Sequence, residues 1–108
     1  MKPLERIFFQ ACWLRCARQV WIGDEVKHIS HVTTPRDILH VFMLLGFPQK
    51  VLVGYLYKWA DKGFFEYGVS AGVGWFVEAE LTGEYKVLAE QANSFHGVME
   101  IKDEEAEA

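Results

Sequence analysis

Two cysteines in 108 residues are too few for a disulfide framework to hold the fold. Long apolar runs are missing as well. Arg15, Arg36, Lys50 and Lys58 interrupt every stretch that approaches the ~18–20 residues needed to span a bilayer. A secretory pattern is not visible, because Glu5 and Arg6 precede only a short apolar stretch with no small-residue cleavage site after it. The expected location is therefore cytoplasmic. Positive charge is scarce: the net charge is −4, where a nucleic-acid binder usually shows a basic face. Repeats and low-complexity linkers are absent. So is any Ser/His/Asp order with a local signature, or any set of paired carboxylates in an apolar context. The chain does not read as an enzyme, and nothing in it calls for a cofactor.

What the chain has is apolar and aromatic side chains, at 51% and 15% of its residues, which excludes a disordered polymer. Its length suits one domain with a single core, expected over residues 1–101. Residues 102–108 form an acidic tail, expected to be disordered, in which Asp103, Glu104, Glu105 and Glu107 hold four of the fifteen acids. Without those four the remainder is close to neutral, which permits a local basic face.

The densest structural signals lie between Thr33 and Leu88. Thr34 reads as an N-cap, Pro35 as the first helical residue, and Asp37 falls three residues after the cap. Ile38, Val41, Phe42 and Leu45 follow at helical spacing, and Gly46 supplies a helix end. Pro48 opens the first turn of a second helix with Val51, Leu52, Tyr55, Leu56 and Trp59 inside, closed by Gly63. The period then changes. Phe65 and Tyr67, and later Trp75, Val77, Ala79 and Leu81, alternate as in half-buried strands, with Gly68, Gly72 and Gly74 at the bend. A last helix is expected after Thr82, with Tyr85, Leu88, Ala89 and Ala92 as its buried stripe and Asn93 near its end.

Three pieces of this pattern carry a resemblance: the turn Leu45-Gly46-Phe47-Pro48, the helix that ends Leu56-Tyr57-Lys58-Trp59-Ala60-Asp61-Lys62-Gly63-Phe64, and the hairpin with its exit Leu81-Thr82-Gly83-Glu84-Tyr85-Lys86-Val87-Leu88. Together they resemble a winged helix-turn-helix domain over about half the chain. The resemblance implies an α+β fold of three to four helices with a two- or three-stranded antiparallel wing. It also implies a transcriptional regulator that reads the major groove of double-stranded DNA with the helix at residues 48–62. The residues it points to for DNA are Arg36, Gln49, Lys50, Val53, Tyr57 and Lys58. Gln49 suits an adenine edge, Lys50 a guanine edge or a phosphate, and Tyr57 and Lys58 phosphates. Gly54 either lets a backbone come close or merely relieves packing.

The wing departs from that expectation. It carries Glu66, Glu78 and Glu80, with no basic residue between Phe64 and Leu81, and carboxylates facing phosphates repel. Its apolar, glycine-rich tip, with Val69, Val73 and Trp75, suits a protein partner instead. The alternative function is therefore a protein–protein interaction module that uses the wing and the aromatic first helix. That first helix is expected over residues 4–19, with Leu4, Ile7, Phe8, Ala11, Cys12 and Leu14 apolar, joined by Trp13, and Arg6, Gln10, Arg15, Arg18 and Gln19 wet. It reads first as a core helix, and second as the surface of a homodimer. Residues 20–30 suit either a short strand pair around Gly23-Asp24 or an irregular connector.

Cys12, Cys16, His28 and His31 form a Cys-x3-Cys-x11-His-x2-His array with the ligand types of a zinc site. The cysteine pair lacks a knuckle turn, and buried small hydrophobes are the commoner role for such thiols, so no metal is expected. The glycines between Gly68 and Gly74 are followed by alternation instead of a helix N-terminus, which removes the mechanism of a phosphate cradle.

Overall fold

In a computed structural model of the chain, the described residues are 1–22, 24–29, 33–67 and 74–94. The fold is α+β. The elements are α1 (Pro3–Arg15), β1 (Ala17–Ile22), β2 (Glu25–Ile29), α2 (Pro35–Leu44), α3 (Gln49–Asp61), β3 (Phe65–Tyr67), β4 (Gly74–Val77) and a 3-10 turn (Glu78–Glu80). A further helix, α4, covers residues 83–94. The strands form one sheet in the order β2-β1-β4-β3. The β1–β2 and β3–β4 pairs are antiparallel, whereas β1 runs parallel to β4.

The first helix stops four residues short of the expected boundary. Cys16 leaves it with an extended backbone, while its N–H still bonds Cys12 O at 2.8 Å. Residues 17–19 are claimed by the sheet, because Arg18 sits between Ile29 of β2 and Phe76 of β4. Continuing the helix would forfeit two ladders. The strand pair is thus the outcome at residues 17–29, and it extends the expected wing into a mixed four-stranded sheet.

α1 buries Glu5, Phe8, Phe9, Cys12 and Trp13, a stripe at helical spacing that Cys16 continues, while Ile7 is left 48% exposed. Phe9 is the hub of the core. Its ring meets Trp13, Trp59, Phe64, Phe76 and Tyr85 at centroid distances of 5.3–6.2 Å. Four of those partners meet it edge to face with interplanar angles of 65–90°, a geometry that adds about 0.5–1.5 kcal/mol per pair beyond burial. α4 closes the core with Tyr85, Leu88, Ala89 and Ala92, all buried as its spacing predicts. Two bonds tie α4 to α1: Gln10 Nε2 donates to Leu88 O at 3.2 Å, and the Trp13 indole donates to Asn93 Oδ1 at 2.8 Å.

On β3 Phe65 is buried as expected, but on β4 the inward phase is the reverse of the one expected. Phe76 and Gly74 are buried on β4, whereas Trp75 and Val77 are half-buried. Phe65 lies opposite Phe76, ring to ring at 5.0 Å, and a Cβ built on Gly74 would come within 2.5 Å of Phe65 Cζ. The glycine is needed because the Phe65 ring occupies the space above it. Alternation ends at Val77, and Ala79 lies in the 3-10 turn instead of a strand.

Candidate functional site

α2 and α3 meet through a fixed turn. Thr34 caps α2 in a two-way box: Asp37 N–H donates to Thr34 Oγ1 at 3.4 Å, and Thr34 N–H donates to Asp37 Oδ2 at 2.8 Å. The bond from the Thr34 backbone is the chief reason that the Asp37 carboxyl is held below the usual carboxylate range. At the other end Gly46 takes φ +97°, and Phe47 N–H returns to Phe42 O at 3.1 Å while their rings meet at 5.7 Å. Pro48 is the N-cap of α3, one position earlier than expected, so Gln49 is the first helical residue.

α3 buries Leu52, Leu56 and Trp59. The opposite line, at spacings of three and four, is Lys50, Gly54, Tyr57 and Asp61, all exposed. Of the six residues expected to face DNA, Arg36, Gln49, Lys50, Tyr57 and Lys58 are exposed, with Tyr57 at 61%. Arg36 and Gln49 share with His40 and Met43 a groove of about 470 Å³ between α2 and the start of α3. Val53 is half-buried and packs against the core on the flank of the helix. Gly54 relieves no packing: a Cβ built there meets nothing within 4 Å. A glycine in an exposed helix interior costs ~0.5–1 kcal/mol against alanine, so the fold itself gains nothing from it.

Lys58 has a partner that the sequence did not announce. Its Nζ donates to Glu5 Oε1 at 2.8 Å, and Glu5 is 2% exposed. The other carboxylate oxygen accepts from the Trp59 indole N–H at 3.1 Å and from the Tyr85 hydroxyl at 2.5 Å. One carboxylate on α1 therefore joins α3 and α4. Burial works to raise the Glu5 pKa, but the bonds from Lys58, Tyr85 and Trp59 outweigh it and hold the group below its ordinary value. The Tyr85 phenol is pushed well above its usual range by burial and by the Glu5 charge, and so stays a neutral donor. One signal in the sequence bears on this: Glu5 precedes Phe8, Phe9, Cys12 and Cys16 on the same helical stripe.

The surface beside the turn is apolar. Leu44 is 76% exposed and Leu45 68%, and Val41, Met43 and Val51 are exposed around them. Val41, Leu45 and Val51 had been expected inside; on α2, Leu39 takes the inward place with Ile38 and Phe42. In the β3–β4 hairpin, Trp75 is half-buried and Glu66 exposed, while Val69 and Val73 lie outside the described residues, as does the tail at 102–108.

Cys12 and Cys16 are free thiols with no exposed surface, and burial followed by the neighbouring Cys16 raises the Cys12 pKa well above its ordinary value. His31 and the His28 side chain lie outside the described residues. Among the described residues no group of three or more His, Cys, Asp or Glu is placed to hold a metal ion. Also among them, no helix is long and apolar enough to cross a membrane. Comparison with known protein families, with curated proteins and with solved structures gives no match.

Proposed function

We propose that the chain is a winged helix-turn-helix protein that binds double-stranded DNA, with α3 as the helix that enters the major groove. The element order, with a helix pair followed by a hairpin and a closing helix, is compatible with that layout. The observation that carries the reading is the outward line of α3. Lys50, Gly54 and Tyr57 follow one another along it with Gln49 at the N-terminal end, and the one interior glycine opens space that the fold does not use. That space would admit a sugar–phosphate backbone or a base edge, beside a cation for a guanine edge or a phosphate. As a regulator, the protein would work as a homodimer or as a single domain. Binding of a random-sequence 20-mer duplex at low salt, followed by fluorescence anisotropy, tests the proposal. Binding that Lys50→Glu abolishes supports it, and no binding at low salt contradicts it.

A second reading is favoured by Leu44 and Leu45. Two neighbouring leucines at 76% and 68% exposure, continuous with Val41 and Val51, form a surface that suits a protein partner better than phosphates. In that reading the domain is a protein–protein interaction module. The Leu44→Asp and Leu45→Asp variants would then lose a partner that Lys50→Glu retains.

A further inference from the structure

Lys58 and Lys50 are both on α3 and both at the surface, but their charges are not equally available. Lys50 has no ion-pair partner among the described residues. Lys58 keeps about half of its side chain in water (47% exposed) and turns its ammonium group inward to a carboxylate that is 2% exposed. A phosphate that drew Lys58 away would leave Glu5 with the Trp59 and Tyr85 donors and no counter-charge. An uncompensated buried charge is costly, whereas one exposed lysine–phosphate contact gains little, so the exchange runs against the phosphate.

We infer that Glu5 is a positioning residue that withholds Lys58 from nucleic acid, so that the phosphate contacts of α3 rest on Lys50 and its neighbours. This rests on the DNA-binding reading above. Glu5 lies 53 positions from Lys58 on another helix, and through Trp59 it also holds the third turn of α3. The same carboxylate thus sets where α3 lies and how many of its cations release counterions. Removing the negative charge while keeping an acceptor for Trp59 and Tyr85 would free Lys58 to act as an added phosphate ligand.

The test is the salt dependence of binding to a random-sequence 20-mer duplex by three full-length proteins: wild type, Glu5→Gln, and Glu5→Gln/Lys58→Met. Near-ultraviolet circular dichroism checks that each is folded, and the double variant contains no unpaired buried charge. Each phosphate neutralised changes the slope of log K against log salt by about −0.9. The expected result is a slope steeper by about 0.9 in Glu5→Gln that returns to the wild-type value in the double variant. A merely structural role for Glu5 would change stability and leave the slopes alike. Wild-type binding with equal slopes in wild type and Glu5→Gln overturns the inference, as does a steep slope that survives Lys58→Met. Wild-type protein that fails to bind at low salt overturns the DNA reading and this inference together, and is distinguished because it appears before any variant is compared.

Discussion

The Glu5 carboxylate on α1 accepts a hydrogen bond from the indole N–H of Trp59 on α3 at 3.1 Å. Trp59 is fully buried, and its ring packs on Phe8 and Phe9 at 5.4 Å each. The bond therefore sits where the aromatic core meets the helix proposed to face DNA. With Tyr85 on the second donor position and Lys58 on the other oxygen, three elements converge on one charged group. Such an arrangement specifies the relative placement of the helices more than it adds net stability, because a carboxylate is desolvated to make it.

The pH dependence of stability follows from the direction of the Glu5 shift. Its folded-state pKa lies below the ordinary 4.5, so the unfolded chain takes up the proton first as pH falls. The stability that the carboxylate contributes is present above about pH 4.5 and is lost on descending through the folded-state value. Asp37 is shifted in the same direction from an ordinary 3.8, so its contribution is present above about pH 3.8 and is lost lower on the acid side than that of Glu5. Urea unfolding at pH 7, 5, 4 and 3 should show a fall in stability below pH 5 that is smaller in Glu5→Gln, with the Asp37 part remaining.

Gly54→Ala should separate folding from binding. The added methyl meets open space on a regular helix, so the variant should be more stable by ~0.5–1 kcal/mol, measured by thermal or urea unfolding. If a DNA backbone approaches α3 at this point, the same variant binds duplex DNA more weakly. Higher stability with unchanged affinity would place the contact elsewhere on the helix.

Gly74→Ala should act in the opposite sense. Its methyl would overlap the Phe65 ring and come within 2.9 Å of Glu66 O, which belongs to the backbone and cannot rotate away. A loss of ~1–3 kcal/mol is expected, as for overpacking elsewhere, read as a lower urea midpoint at constant m-value.

Thr34→Ala removes the acceptor for Asp37 N–H and one half of the capping box. About 1 kcal/mol of stability should be lost, and Thr34→Ser should restore most of it. Because α2 carries Arg36 to the groove that Gln49 shares, weaker DNA binding should accompany the loss.

Features set by neighbouring residues could be read from the chain. Thr34, Pro35 and Asp37 specify a helix start through contacts three residues apart, and Gly46 specifies its end through one backbone angle. The α4 stripe of Tyr85, Leu88, Ala89 and Ala92 was equally legible, because a single helical period against one core decides it. Features set by distant partners were not. The end of α1 depends on β4, some sixty residues further along, pairing with residues 17–19. The inward phase of the hairpin depends on Phe65 meeting Phe76 across it, where a run of Trp75, Phe76 and Val77 offers two apolar alternations. Of the candidate site, exposure of Gln49, Lys50 and Tyr57 followed from periodicity. The engagement of Lys58 did not, since its partner is a carboxylate on another helix.

The most direct test of the central claim is a heteronuclear NMR titration of the full chain with a random-sequence 20-mer duplex at low salt. The account predicts shift changes concentrated at Gln49, Lys50, Gly54 and Tyr57 and at Arg36, reversed by added salt. An unchanged spectrum, or changes confined to Leu44, Leu45 and the wing, would contradict it.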